Sequence, residues 1–266
     1  MPLPALSLHT MTLKQDGFVA VLTLTRSQAL NAMNEQFFTD FTAILTHLSQ
    51  QENSARALLI TAEGNGFCAG ADLKEQLGEK VPDLSAMLKK KYNPLILGLK
   101  NLPIPTIVAV NGAAAGAGFS LICACDIAVA AENAYFLQAF INIALIPDAG
   151  STYFLPRLVG RARAASLMML GEKITAAQAL DYGIISQVFE QDDLQKNALA
   201  LAHKLAAMPT QSLFSIRKLL DSSETNSLEE QLDAEANAQR IAGYSEDFKE
   251  GIAAFLQKKP ALFKGK

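Results

Sequence analysis

Asp148 stands in "ALIPDAGSTYF", after the apolar run Ala144-Leu145-Ile146-Pro147 and ahead of the small-residue turn Ala149-Gly150. A carboxyl in that setting has two physical uses. It can cap a helix beginning near Gly150 or Ser151, accepting from free backbone N–H groups, which lowers its pKa. Alternatively, apolar neighbours desolvate it, raising its pKa so that it can take up and return a proton near neutral pH. The residues around Asp148 leave both open. Two glycine-rich turns supply possible company: "EGNGFCAGADLKE" (63–75) and "NGAAAGAGFSL" (111–121), each directly after a strand-like run. Small residues let a ligand approach the backbone, and the first N–H groups of a helix lack intrahelical acceptors. Two such turns could aim two amides at one oxygen, an oxyanion hole made of main chain. The plainer alternative is that the glycines only permit close packing.

Other chemistries fit the residues less well. Gly112, Gly116 and Gly118 are spaced G-x-x-x-G-x-G, unlike a dinucleotide fingerprint, and no P-loop lysine follows. Ser120 in "GAGFSL" lacks the trailing glycine of a nucleophile elbow. His9, His47 and His203 lie far from these motifs in sequence, so a triad would need one to arrive by folding. Cys68, Cys123 and Cys125 form neither a disulfide framework nor a metal-ligand set; Cys123 and Cys125 are read as small buried hydrophobes on different faces of one helix, and Cys68 has no evident base.

The elements that must position these residues follow from pattern. "GFVAVLTLT" (17–25), "RALLITA" (56–62) and "TIVAVNG" (106–112) read as buried strands, with an amphipathic helix over about 34–50 between the first two. "AAAGAGFSLICAC" reads as a helix entered through glycines, "DIAVAAENAYF" as further strand, and "ISQVFE" (185–190) as one more. From about 191 onward every segment is amphipathic at helical spacing and reads as a helical appendage, with Ser227 and Ser245 placed as helix caps. Half of the 266 residues are hydrophobic and the net charge is −3, which describes a well-buried globular chain without a basic stripe for nucleic acid. The N-terminal stretch lacks a signal-peptide pattern and no run reaches membrane-spanning length, so a cytoplasmic location is expected.

Taken together, "LTRSQALNAMN", "GNGFCAGADL", "IPTIVAVNGAAAGAG", "CDIAVAAENAYF" and "LIPDAGSTYFLPRLVGRARA" make the chain resemble the crotonase (enoyl-CoA hydratase/isomerase) superfamily over nearly its whole length, in family order and spacing. The resemblance implies an α/β fold: a spiral of β-β-α units over 1–205 carrying an acyl-CoA site, and an all-helical region over 206–266 for trimerisation, usually as a homotrimer or a dimer of trimers. It also implies that Ala71 and Ala117 give the two backbone N–H groups that hold a thioester oxygen. Ala69, Asp72, Leu73, Lys74 and Gly116 would lie along the substrate, through main chain rather than side chains. No cofactor is bound permanently; coenzyme A arrives as part of the substrate.

The chain departs from the hydratases of that superfamily where their two catalytic glutamates would fall, at Ser120 and Phe140. Asp148 remains, where many relatives carry glycine. The pattern, with "YNPLILGL", "SSETNSLEEQLDAE" and "EGIAAFLQKKP", is similar to the phenylacetate-pathway branch that isomerises a ring epoxide of phenylacetyl-CoA and moves enoyl-CoA double bonds. The resemblance therefore turns Asp148 toward the proton-carrier reading. The expected activity is a one-base acyl-CoA isomerase; the alternatives are a 2-enoyl-CoA hydratase with relocated acids and a non-catalytic acyl-CoA-binding protein. Asp126 is expected as a structural partner at a helix-strand junction, and Asp72 as a cap or brace behind Ala71. Lys89, Lys90 and Lys91 are expected on a solvated face. Phe119, Phe140 and Tyr153 are candidates for an acyl pocket or for core.

Overall fold

The computed structural model describes residues 6–50, 54–76 and 83–266. The start of the N-terminal stretch and residues 51–53 and 77–82 lie outside them. Among the described residues the strands are β1 (Leu6–Ser7), β2 (Met11–Asp16), β3 (Val19–Leu24), β4 (Ala57–Ala62), β5 (Gly66–Cys68), β6 (Thr106–Val110), β7 (Ala113–Ala115), β8 (Ile127–Ala131), β9 (Tyr135–Leu137), β10 (Lys173–Thr175) and β11 (Gln187–Phe189). Seven form one sheet in the order β1-β2-β3-β4-β6-β8-β11, and four a second, β10-β9-β7-β5. From β3 onward the first sheet is parallel, as are β5, β7 and β9.

A repeating step is visible in this order. β4 leads to β5, β6 to β7 and β8 to β9: each time the chain lays a long strand in the first sheet, turns, and lays a three-residue strand in the second. Helices return it to the first sheet after β5 and β7, which is the β-β-α spiral expected from the resemblance; after β9 two helices lead instead to β10, in the second sheet, and a third leads on to β11. The helices are α1 (Glu35–Leu48), α2 (Leu73–Gln76), α3 (Leu84–Met87), α4 (Asn93–Asn101), α5 (Ala117–Ala124), α6 (Ser151–Val159), α7 (Arg161–Leu170), α8 (Ala176–Asp181), α9 (Leu194–Ala206), α10 (Thr210–Ser223), α11 (Leu228–Gly243) and α12 (Glu246–Leu256). A π turn over Leu88–Tyr92 joins α3 to α4 ahead of Pro94, which has no N–H to give the regular ladder.

Both faces of the first sheet are covered, which is why β4 and β6 read as unbroken apolar runs. Leu58 and Ile60 of β4 point to the core that also holds Phe37, Phe41 and Ile44 of α1. Ala57 and Leu59 point the other way, against Leu194, Ala198, Ala202 and Ala206 of α9. Thus α9, expected within a helical appendage, is the second cover of the sheet. The alanines at 198, 202 and 206, spaced i, i+4 and i+8, let the helix lie close.

The last helices attach through polar groups. Arg217 of α10 donates to the carbonyls of Leu102 (2.6 Å) and Ile104 (2.7 Å), and its Nε to Asp126 Oδ1 (2.6 Å). Asp126 also accepts from the Thr106 N–H, so its expected structural role is met with a named partner. Ser227 forms a capping box with Glu230, and Ser245 accepts from the Phe248 N–H. Among the described residues of α11 none is buried, and Leu228, Leu232, Ile241 and Tyr244 on or just after it are exposed.

Candidate active site

The two glycine-rich turns are stacked against each other, backbone on backbone. A Cβ on Gly70, whose φ is +89°, would lie 2.8 Å from the Ala115 carbonyl oxygen and 3.2 Å from the Ala117 nitrogen. One on Gly118 would lie 2.3 Å from the Cys68 carbonyl oxygen. Only glycine permits either contact, so the sequence brings the Ala71 and Ala117 segments together by omitting side chains. Met33 then fixes the first segment as a short parallel bridge: its N–H donates to the Gly70 carbonyl (2.7 Å) and its carbonyl accepts from the Asp72 N–H (3.0 Å). Because peptide groups alternate in an extended segment, the Ala71 N–H between them faces away from Met33. Ala117 is the first residue of α5, where N–H groups have no helical acceptor. Neither amide donates to an acceptor among the described residues.

Side chains far apart in sequence hold the first turn rigid. Asn31, itself in the left-handed region at φ 55°, donates to the carbonyls of Glu63 (3.1 Å) and Gly66 (2.9 Å); Asn111 donates to Gly64 (2.7 Å). Arg26 bonds the Ala32 carbonyl, Asp72 (2.6 Å) and Glu75. Burial pushes the Asp72 carboxyl upward, but Arg26 and the amides of Glu75 and Lys74 outweigh it and hold the group below the usual carboxylate range. Asp72 is therefore a brace, as expected. Of its neighbours, the Ala69 N–H donates to Leu30, Leu73 and Lys74 are exposed, and Gly116, at φ 53°, donates to Leu137. Arg26 and Asn31 carry no local signal in the sequence; apart from Ala32, six residues from Arg26, their partners lie 32 to 49 residues away.

Asp148 does not cap α6. The cap residue is Gly150, without a side-chain bond, and it is the Asp148 main-chain carbonyl that accepts from Ser151 N–H at 3.0 Å. The carboxyl keeps a buried Oδ1 with no hydrogen-bond partner, and desolvation lifts its pKa from 3.8 to about 6. Within the preceding apolar run Ile146 does not supply that burial, since it is 82% exposed. Tertiary packing desolvates the acid.

Ser120 is fully buried and bonds back to the Gly116 carbonyl, and Phe140 is buried with its ring tip near Gly116. Phe119 packs on Phe136 in the core, while Tyr153 is part-exposed and lies under Arg157, 3.7 Å from ring centroid to guanidinium carbon. Cys123 ends up on α5 and Cys125 just past it; burial drives Cys68 and Cys123 up to about 12 and Cys125 higher still, so none is a ready thiolate. His203 pairs with Asp16. Lys91 contacts Glu35. Among the described residues no three His, Cys, Asp or Glu converge as metal ligands, and no helix is long and apolar enough to cross a membrane.

The Enoyl-CoA hydratase/isomerase family model matches residues 14–266. The chain belongs to that family. It is 43% identical over 93% of its length to 1,2-epoxyphenylacetyl-CoA isomerase of Escherichia coli strain K12, of which it covers 95%. It is 40% identical over 98% of its length to a probable enoyl-CoA hydratase of Rhodobacter capsulatus, covered in full. A solved putative enoyl-CoA hydratase/isomerase from Mycobacterium abscessus superposes with a TM-score of 0.91 at 31% identity, covering 96% of this chain and all of that one. This enoyl-CoA hydratase/isomerase family member is therefore an enzyme by kinship, and its relatives include both isomerases and hydratases.

Proposed function

We propose that the enzyme is an acyl-CoA isomerase in which one carboxyl, Asp148, moves a proton on a thioester enolate. The thioester oxygen accepts from the Ala71 and Ala117 amides. The carboxylate removes a proton from the carbon next to the carbonyl; negative charge passes to the oxygen, and the same carboxyl returns the proton to another carbon. Desolvation makes the carboxylate a stronger base and lets it hold the proton between steps. The observation that carries this reading is the buried, unpartnered Oδ1 of Asp148 combined with non-acidic residues at Ser120 and Phe140. Hydration needs one group to activate water and another to protonate carbon; a 1,3-shift reuses one.

The substrates that fit are 2-(1,2-epoxy-1,2-dihydrophenyl)acetyl-CoA and 3-enoyl-CoA, in keeping with the 43% identity to the Escherichia coli isomerase. Main chain from Ala69 to Lys74 and at Gly116 would run along the coenzyme A portion. No resident cofactor is needed, because coenzyme A enters with the substrate and the proton stays on it. The exposed apolar residues of α11 and α12 support a homotrimer or dimer of trimers assembled through residues 206–266.

The test is turnover of 3-enoyl-CoA, the ring epoxide and crotonyl-CoA by the parent and by Asp148→Asn. The isomerase reading expects double-bond migration by the parent, a loss of about 10³-fold or more in the variant, and coenzyme A affinity within a few-fold. Fast 3-hydroxyacyl product from crotonyl-CoA would replace it with a hydratase. Equal, negligible turnover by both forms would replace it with an acyl-CoA-binding protein.

A further inference from the structure

Gln138 follows β9 in the strand register opposite Gly116: Ala115 pairs with Leu137, and the Gly116 N–H donates to the Leu137 carbonyl at 2.9 Å. It therefore sits beside Gly116, the residue before Ala117. Its side chain is 1% exposed and donates from Nε2 to the hydroxyl of Ser151, itself fully buried, at 2.8 Å. Ser151 in turn gives its N–H to the main-chain carbonyl of Asp148. An unbroken path of two backbone bonds and one side-chain bond thus joins the second glycine-rich turn to the turn that carries the acid.

The acid's turn is also held by the Leu145 N–H, which donates to the Phe140 carbonyl at 3.0 Å, and by Ala149, which is buried in the core. Ala149 and Gly150 are both in the left-handed region, at φ 50° and 79°, and Ile146 ahead of them is exposed. Among the described residues no backbone hydrogen bond joins residues 145–150 directly to the second sheet, and Oδ1 of the carboxyl has no partner. Gln138 also leaves its own Oε1 buried and unpaired. An apolar side chain of similar volume would fill the space without that desolvation penalty, so packing alone does not account for glutamine here.

We infer that Gln138 is a positioning residue which, through Ser151, sets the distance between the Asp148 carboxyl and the Ala117 amide. It touches neither substrate nor proton. The inference rests on the isomerase reading of Asp148 given above.

Gln138→Leu, Ser151→Ala, the double variant and Gln138→Glu are compared with the parent and with Asp148→Asn on 3-enoyl-CoA, with thermal melts in parallel. Loss of the bond should lower kcat about 10²-fold, the penalty of a misplacement near 1 Å, with KM within a few-fold. The double variant should be no worse than the poorer single, because both remove the same tie. Gln138→Glu can accept the Ser151 hydroxyl and should keep most of kcat, while its charge, by raising the carboxyl pKa, moves the acid limb of the kcat–pH profile upward. Multiplicative losses in the double variant, or parental kcat in Ser151→Ala beside an inactive Asp148→Asn, would overturn the inference and leave the isomerase reading standing. Undiminished turnover by Asp148→Asn would overturn both. Should Gln138→Leu fail to fold, Ser151→Ala, which deletes a single oxygen, decides alone.

Discussion

The turns that carry the two amides and the turn that carries the acid are built on opposite terms. Around Gly70 and Gly118 side chains from distant parts of the chain pin the backbone: Asn31, Asn111 and Arg26 hold the carbonyls, Met33 brackets Ala71, and Asp72 is clamped by Arg26, with the Oδ1 atoms of Asn31 and Asn111 left buried and unpaired among the described residues. Around Asp148 one carboxyl oxygen is buried without a partner among the described residues, Ala144 and Ala149 sit at positive φ, and the flanking isoleucines face outward. The first arrangement suits groups that must not move, because an oxyanion donor works by being already in place. The second suits a group that must change charge. A carboxylate fully satisfied by donors would be a poor base, whereas one deprived of them holds a proton more readily.

The contrast can be broken most severely from the rigid side. Gly70→Ala forces a methyl into the Ala115 carbonyl and the Ala117 nitrogen, separating the amides. Its expected cost is about 10²- to 10³-fold in kcat, the usual loss for one oxyanion donor, together with a lower melting temperature. Parental kcat in a folded Gly70→Ala protein would show that the stacked turns are only packing.

From the other side, Asp148→Asn should stabilise the protein. Because burial raises the folded-state pKa from 3.8 to about 6, the folded chain favours the protonated carboxyl. Measured against an uncharged side chain at this position, the carboxyl costs nothing below pH 4, and the penalty for its buried charge grows as pH rises to about 6 and is then constant at about 2 to 3 kcal/mol at most. Melts of Asp148→Asn should therefore exceed the parent at pH 7.5 and converge with it near pH 4. No difference at pH 7.5 would mean that the carboxyl is solvated.

Arg26→Met removes the clamp on Asp72 and Glu75 while keeping the bulk of the stem. A loss of about 10-fold in kcat is expected, smaller than for Gly70→Ala because Met33 and the two asparagines still hold the turn. The smallest effect belongs to a site distant from both turns: Ser227→Ala deletes the α11 capping box and should lower stability by about 1 kcal/mol, leaving kcat per folded enzyme unchanged.

The same contrast governs what could be read in advance. Long buried strands such as Ala57–Ala62 and the amphipathic α1 announce themselves by composition and period. β5 and β7 do not, being three residues each of Gly, Phe, Cys or Ala, so "AAAGAG" reads as the start of a helix although its alanines pair with Tyr135–Leu137. Ala71 and Ala117 were reachable only through a resemblance, since a backbone amide has no residue-type signature. Asp148 was visible as an acid in apolar company, yet its desolvation comes from the folded surroundings rather than from the isoleucine two residues before it. Arg26, Asn31, Gln138 and Ser151 show no local pattern, because each is defined by a partner 13 to 49 residues distant.

Arg217 ties its guanidinium to the carbonyls of Leu102 and Ile104, 115 and 113 residues earlier in the chain. During synthesis, at roughly 5–20 residues per second, those carbonyls are made about 6 to 23 seconds before their donor exists. For that interval the doorway to β6 has to be hydrated or shielded by something else, and a chain released short of residue 217 would never close it.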